Sequence, residues 1–406
     1  MTEIGISLIL KQVATREIIS TSFSKLKNYF KSNQKVINIS KSDFDKSISV
    51  LAQDAINWSG KLNIIGVDSS QEIQKLYIET NFYLTPQKFH YKDEIVKPNL
   101  LSKIVENEVE HCVIFGKPGM GKTTSMKMLT RKIIYEEDFL VNYFSIPIII
   151  RLRELREKFN DKHIAQYSKE IIFEFIAQLF NLDNKHDKVN QDDRDSAFLR
   201  NLVFELIESI KPVIIIEGFD EIELGIRDNI FAQIKDLVYK TKNSKVLITS
   251  RTGEFSYQIE KFSYFEIADF NKDQITNYSK KFLGESKAKQ FNEELQKSLY
   301  QDFAVKPLLL SFLCSIYKYR EELPDKPRYI YAEILDILFS KWDKNRGIIR
   351  NSKFDSFGKE EKFEFLSVLS FKLIYNSKIT FDKQDILQIF ESVNDKYDLK
   401  KTDSDS

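Results

Sequence analysis

The segment Gly116-Lys117-Pro118-Gly119-Met120-Gly121-Lys122-Thr123-Thr124 fits the spacing G-x-x-x-x-G-K-[ST], with an apolar run before it and a helical pattern after it. That arrangement suits one task, holding the phosphates of ATP or GTP. Glycines let backbone N–H groups curl around a β-phosphate that side chains would exclude. The helix that follows adds the positive end of its dipole. Lys122 is expected to bridge the β- and γ-phosphates, and the Thr123 hydroxyl to ligate Mg²⁺. Every residue from Gly116 to Thr124 is therefore a candidate contact of the nucleotide.

A second constellation is Val213-Ile214-Ile215-Ile216-Glu217-Gly218-Phe219-Asp220-Glu221. The β-branched residues read as a buried strand, and acids follow at its C-terminal end, where ligands sit in parallel sheets. Asp220 is expected to hold the Mg²⁺ shell through water, with help from Glu217. Glu221 is expected to orient or deprotonate the attacking water. Taken alone, these acids would also suit a strand end and the start of the next helix; the phosphate loop favours the catalytic reading. A third run, Lys245-Val246-Leu247-Ile248-Thr249-Ser250-Arg251, ends a short strand in an arginine. Arg251 could read a γ-phosphate and stabilise its developing charge. The plainer alternative is a surface arginine paired with a nearby acid.

Other candidates are weaker. Ile148-Ile149-Ile150-Arg151-Leu152-Arg153 is a strand with arginines at its exit, for which pairing with Glu154 or Glu157 competes evenly with a functional role. His90, His111, His163 and His186 show no ligand spacing, and His111 reads as a strand-edge residue. Asp68, Glu72 and Lys75 resemble a nuclease cluster only loosely, because acid and lysine stand too far apart for E-x-K; a solvated helix face is the better reading. Cys112 and Cys314 lie far apart, each in an apolar run. They give neither metal spacing nor a disulfide framework and read as small core residues.

These groups need a sheet to hold them. From about residue 100 to 270 the runs His111–Phe115, Ile146–Ile150, Val213–Ile216, Val246–Ile248 and Tyr264–Ile267 alternate with helical stretches. The pattern predicts an α/β fold, a parallel sheet flanked by helices. Asp187–Ser196 reads as a surface loop. Residues 1–90 form a mostly helical N-terminal region, with apolar positions recurring at Ile18, Phe23, Leu26 and Phe30 and again at Ile48, Leu51, Ala55 and Trp58. Asn63–Asp68 and Asn81–Pro86 read as connectors. Beyond about residue 271 the chain reads as all-helical, through Gln274–Leu283, Lys287–Leu299, Leu308–Tyr319, Tyr329–Trp342, Glu361–Tyr375 and a short piece near Asp382–Phe390. Leu323-Pro324-Asp325 is a breaker, and the polar tail after Lys400 is expected to fray.

The bulk composition agrees with a globular chain of two or three domains: 406 residues, 42% hydrophobic and 30% charged. Basic and acidic residues number 61 and 60, a net charge of +1, so there is no overall footprint for nucleic acid or an anionic membrane. Glu3 and Lys11 interrupt the start, which is not a signal peptide. Apolar runs such as Leu308–Phe312 fall far short of the roughly 20 residues of a spanning helix. A reducing cytoplasm is the expected location.

In combination and order, the phosphate loop, the Ile-Ile-Ile-Arg-Leu-Arg strand, Glu-Gly-Phe-Asp-Glu and Leu-Ile-Thr-Ser-Arg resemble NACHT-domain proteins of the STAND class of P-loop NTPases. Val305-Lys306-Pro307-Leu308-Leu309-Leu310 resembles the family's helical segment whose proline approaches adenine, which implies a base contact for Pro307. Tyr77–Thr85 resembles the lead-in near the base, and Glu322 to Asp343 resembles the helical region of bacterial members. The likeness covers residues 77 to 395 and departs from the family pattern at Glu217, usually Asp, and at Thr252, often Pro. It implies domains at 91–270 (nucleotide binding), 271–328 (helical) and 329–398 (helical, partly winged-helix-like), after an N-terminal region of 1–90 and before a tail of 399–406. No counterpart of the family's Phe-x-His clamp or of a repeat sensor precedes Ser406, which implies a short member or one part of a longer system. The resemblance further implies an ATP/ADP switch with slow hydrolysis, self-assembly on activation, and anti-phage defence with a phage-derived trigger or partner protein. The competing readings are an AAA+-like motor or loader and an adaptor that keeps ADP as a structural ligand.

Overall fold

Uninterrupted apolar runs bury both of their faces, which only a sheet covered on both sides permits. In the computed structural model five of them form a parallel sheet: β5 (His111–Phe115), β6 (Pro147–Arg151), β7 (Val213–Glu217), β8 (Lys245–Ser250) and β9 (Phe262–Ile267). The structure describes residues 16–33, 39–64, 70–84, 86, 96–97, 110–135, 146–159, 170–182, 193–222, 224–324, 326, 329–335, 359–375, 386 and 388–389. Two compact units are present, one of Met1–Leu62, Gln71–Ala288 and Asp302–Leu310, the other of Asn63–Ser70, Lys289–Gln301 and Ser311–Ser406.

In the first unit the strand order is β4-β3-β9-β5-β8-β7-β6. Strand β3 (Phe82–Tyr83) runs antiparallel to β9 and carries β4 (Val96–Lys97) on its outer side. The stretch expected to be a connector at Asn81–Pro86 thus contains a short strand, held between β4 and β9. Two residues are too few for a periodic signal, and the strand exists because Phe82, fully buried, pairs with Ile267. A separate two-stranded ribbon joins β1 (Lys61–Leu62) to β2 (Gln71–Glu72). Lys75 pairs with Glu72 at 3.5 Å and both are exposed, but Glu72 stands in β2 rather than on the expected helix face.

The longer described helices are α1 (Arg16–Ser32), α2 (Lys41–Gly60), α3 (Lys122–Tyr135), α4 (Leu152–Phe159), α5 (Ile171–Leu179), α6 (Asp193–Ile210), α7 (Leu224–Lys240), α8 (Lys272–Leu283), α9 (Glu285–Lys297), α10 (Pro307–Arg320) and α11 (Lys359–Tyr375). Residues 329–335 are also helical, and the rest of the predicted Tyr329–Trp342 helix lies outside the described residues. So do His90, His163, His186, Asp68 and the tail. Helix α6 begins at Asp193, inside the predicted Asp187–Ser196 loop, whose earlier part is not described.

Alternate residues of each strand feed two cores. Cys112, Ile114, Val213, Ile215 and Leu247 pack with Met126, Leu129 and Ile133 of α3. Val113, Phe115, Ile214, Ile216 and Ile248 belong to a larger core that includes Leu26 and Phe30 of α1 and Phe44, Ile48 and Leu51 of α2. Ser40 caps α2 by accepting from Asp43 N, and the apolar positions then recur along one stripe. The N-terminal helices are therefore built into the unit that contains the sheet. Phe44, with 0% exposure, lies 5.8 Å from the rings of both Phe23 and Phe180. Phe44→Ala is expected to destabilise this unit by about 3–5 kcal/mol. Denaturant unfolding followed by intrinsic fluorescence checks this, and an unchanged midpoint would show that α2 does not hold the sheet.

His111 opens β5, a central strand rather than an edge, between β8 and β9. Its Nδ1 accepts from Val246 N at 3.1 Å and its ring stacks on Phe262. Burial pulls its pKa down from 6.5 to about 4, and a proton on Nδ1 would displace the Val246 bond. The unfolded chain protonates this residue first as pH falls, so its contribution is intact above pH 6.5 and is lost toward pH 4. At pH 5 the loss is about 2 kcal/mol, and His111→Gln is expected to flatten the dependence of unfolding free energy between pH 7 and 5. An identical slope in the variant removes His111 as its source. The cysteines behave as expected of core residues: both are buried, and burial pushes Cys112 up to about 12.

Candidate phosphate-binding site

Strand β5 stops at Phe115, and the loop Gly116 to Gly121 carries the chain to Lys122, the first residue of α3. Gly119 and Gly121 have φ of 77° and 91°, the left-handed region that glycine enters without strain. A Cβ on Gly119 would lie 2.8 Å from Leu308 Cβ, and Gly119 O accepts from Leu308 N at 3.1 Å. The start of α10, with Pro307 as its first residue, is thereby fastened to the phosphate loop. Met120 is buried and serves the core, whereas Lys117, Pro118 and Thr123 are exposed and Thr124 is half-buried.

Lys122 Nζ donates to Gly116 O at 2.6 Å and to Lys117 O at 3.4 Å, so its ammonium sits inside the curl of the loop. Burial lowers its pKa, Asp220 opposes that, and Arg251 adds to it. The Thr123 hydroxyl donates to Glu217 Oε1 at the end of β7. Burial raises the Glu217 pKa, the Thr123 bond counters it, and nearby Glu221 raises it further.

The acid segment then turns through Gly218, whose φ is 78°, and Gly218 N donates to Thr249 Oγ1 at 3.0 Å. Asp220 Oδ1 accepts from Arg251 N at 3.0 Å and its Oδ2 meets Arg251 Nε at 2.8 Å. Of the acids expected around the metal, Glu217 meets Thr123, and Asp220 meets Arg251. Glu221 is exposed, its N donates to Gly218 O at 2.9 Å, and its Cδ would lie 3.2 Å from a Cβ on Gly218. The other arginine, Arg151, pairs with Glu154 at 2.8 Å, which is its structural reading.

The lead-in is clamped from several sides. Gln274 Nε2 donates to Glu79 O at 2.6 Å, Lys281 Nζ to Tyr77 O at 2.8 Å and Ala268 N to Asn81 O at 2.9 Å. Thr80 and Ser125 of α3 share a hydroxyl contact of 3.2 Å. Lys127 of α3 donates to Lys61 O at 2.9 Å and lies over the Trp58 ring, tying α2 to the same helix.

One residue with a site role escaped sequence reasoning. Arg227, buried near the start of α7, bonds to Asp220 O, Ile222 O and Glu254. A cation in the first turns of a helix opposes the dipole, and that was the only available signal.

The cradle fits a phosphate chain: glycine-only backbone, a lysine within the curl and a helix start. The hydroxyl of Thr123 and the carboxylate of Glu217 are hard oxygen donors of the kind Mg²⁺ takes at phosphate sites, where few protein ligands are needed. Among the described residues no helix is long and apolar enough to cross a membrane.

A search of curated proteins finds no match. Solved structures that align with the chain include a Walker-type ATPase of Pyrococcus abyssi, at 12% identity and a TM-score of 0.36, covering 73% of this chain and 88% of that one. Drosophila ORC bound to DNA aligns at 12% identity and 0.35, covering 74% and 72%. A STAND protein with a tetratricopeptide repeat sensor from Pyrococcus horikoshii aligns at 15% identity and 0.36, covering 75% of this chain and 49% of that one. The family profile of the NACHT domain matches residues 110–286, the span from β5 to the start of α9. Residues 110–286 of this chain are a NACHT domain, set on a mostly parallel sheet of the P-loop NTPase kind.

Proposed function

We propose that the chain binds ATP with Mg²⁺, hydrolyses it slowly, and uses the difference between ATP and ADP to control assembly with copies of itself. The observation that carries this reading is the Asp220–Arg251 ion pair beside the phosphate loop, next to the exposed Glu221. Lys122 exchanges its loop carbonyls for phosphate oxygens, which are stronger, charged acceptors. Thr123 and Glu217 would hold Mg²⁺, whose charge neutralises phosphate oxygens. Glu221 orients a water and accepts its proton as the water attacks the γ-phosphorus and ADP leaves. Arg251 has two possible partners, Asp220 and a γ-phosphate that only ATP supplies. That difference gives ATP and ADP unequal affinities for two states, which a switch requires. By the resemblance to bacterial NACHT proteins, the switch serves anti-phage defence in the cytoplasm.

Mass photometry tests the assembly. A larger discrete species with ATP·Mg²⁺, absent with ADP, is expected, and Glu221→Gln with ATP·Mg²⁺ should accumulate it. Profiles that stay identical in all states, with a phage-derived trigger present, rule out the switch. Arg251→Ala should leave ADP affinity within about twofold and weaken ATP discrimination by about tenfold, the worth of one charge-assisted contact. Equal losses for both nucleotides would show that Arg251 reads no γ-phosphate.

A further inference from the structure

We infer that Arg227 is a positioning residue that ties the turn carrying Glu221 to the turn carrying Arg251. The inference rests on the ATP-hydrolysis reading above. Arg227 Nε donates to Ile222 O at 2.9 Å and Nη2 to Asp220 O at 2.8 Å. Those carbonyls flank Glu221, so the guanidinium grips the main chain on both sides of the acid. Its remaining nitrogen, Nη1, crosses to the other turn and donates to Glu254 O at 3.2 Å and Glu254 Oε2 at 3.0 Å. Glu254 N in turn donates to Arg251 O at 3.1 Å, closing the turn that begins with Arg251.

The chemistry of the side chain suits this task and few others. The Arg227 side chain is 9% exposed, so it is spent on the interior rather than on solvent or a partner. Main-chain carbonyls in irregular turns have no ladder to satisfy them, and leaving them unbonded away from water is costly. A planar fork with donors in fixed directions can bond carbonyls from two loops at once, whereas an ammonium cannot reproduce that geometry. An aromatic contact joins residues next to the same turns: Phe219 meets Phe255 edge-on at 5.0 Å. The two turns are thus one body, and the Asp220–Arg251 pair lies across its seam. A shift of Arg251 from Asp220 to a γ-phosphate is then felt at Glu221 through the shared guanidinium.

The experiment is a double-mutant cycle on the full chain, measuring ADP affinity, ATP affinity and single-turnover hydrolysis for wild type, R227K, E221Q and R227K/E221Q. R227K is expected to keep ADP affinity within about twofold and to lower the hydrolysis rate by about tenfold or more. In the E221Q background, R227K should change the remaining rate by less than about twofold, because groups acting as a unit are not additive. An equal fold-loss in both backgrounds, or a folded R227K with wild-type turnover, overturns the inference. If R227K does not fold, E254Q substitutes for it. E254Q is expected to slow hydrolysis about threefold in the wild-type background and not in E221Q, and equal losses again overturn the inference. Wild-type protein that binds ATP·Mg²⁺ without turnover sinks the hydrolysis reading and this inference together. Turnover in the wild type with unaffected variants sinks this inference alone.

Discussion

Glu221→Gln is expected to lower the hydrolysis rate by about 10²–10⁴-fold while ATP and ADP affinities change little. The amide has the size of the carboxylate and can still bond to water, but it cannot take a proton at neutral pH. The described hydrogen bonds of the phosphate-binding side chains go elsewhere: Lys122 is held by Gly116 O and Lys117 O, Thr123 by Glu217, and Arg251 by Asp220, and Glu221 acts on Lys122 only as one of several nearby charges. The turn also survives, since it is set by Gly218 at φ 78° and by the main-chain bond from Glu221 N to Gly218 O. Removing a negative charge near Glu217 also relieves one of the influences that raise the Glu217 pKa, which favours the charged form of that residue. Phosphate release measured at saturating ATP, with affinities from nucleotide titration, separates the two effects. A wild-type rate in this variant would move the role of base to another group.

The parts of this molecule that sequence made legible share one property: they are local. The glycines and lysine of the phosphate loop must follow one another in a fixed order, and the strand of Val213 to Ile216 is apolar at every position because both faces are covered. Strand bounds shifted by one or two residues, as at β6 and β9, where ladder partners extend the pairing beyond the apolar run. What stayed hidden depends on partners distant in sequence. Strand β3 has two residues and exists through its pairing with β9. The choice between Glu217 and Asp220 as the partner of Thr123 is made by the left-handed turn at Gly218, not by spacing. The amphipathic stripes of α1 and α2 announced helices but not the surface that covers them, which is the same core that backs the sheet. Arg227 was hidden for the same reason, since its acceptors come from two separate turns. His111 shows the converse: a polar residue in an apolar run looked like an edge position, yet it is central because Val246 N supplies its bond.

Lys122→Ala is expected to weaken ATP and ADP binding by about 10²-fold or more, with the larger loss for ATP. Each charge-assisted bond from an ammonium to a phosphate oxygen is worth about 1.5–3 kcal/mol, and this side chain is placed to make two of them with ATP. The ammonium is already inside the loop, so it has only to exchange carbonyl partners, with no long side chain to order from solvent. Burial disfavours its charged form before nucleotide arrives, and Asp220 opposes that shift. A phosphate beside it would strengthen that preference and lower the cost of burying the anion. With alanine at this position the glycine backbone and the start of α3 remain, so residual binding through N–H groups is expected rather than none. The loop itself should keep its shape, because the bond from Leu308 N to Gly119 O and the left-handed turns at Gly119 and Gly121 do not involve Lys122. Isothermal titration with ADP and with ATP·Mg²⁺, alongside a thermal melt without nucleotide, reads both halves of the argument. A melt near that of the wild type with affinity lost for both nucleotides establishes Lys122 as a phosphate contact. Affinities that stay within about twofold would mean the backbone alone holds the phosphates, and the hydrolytic assignments of Glu221 and Arg251, which assume a γ-phosphate anchored by Lys122, would have to be rebuilt around a different pose.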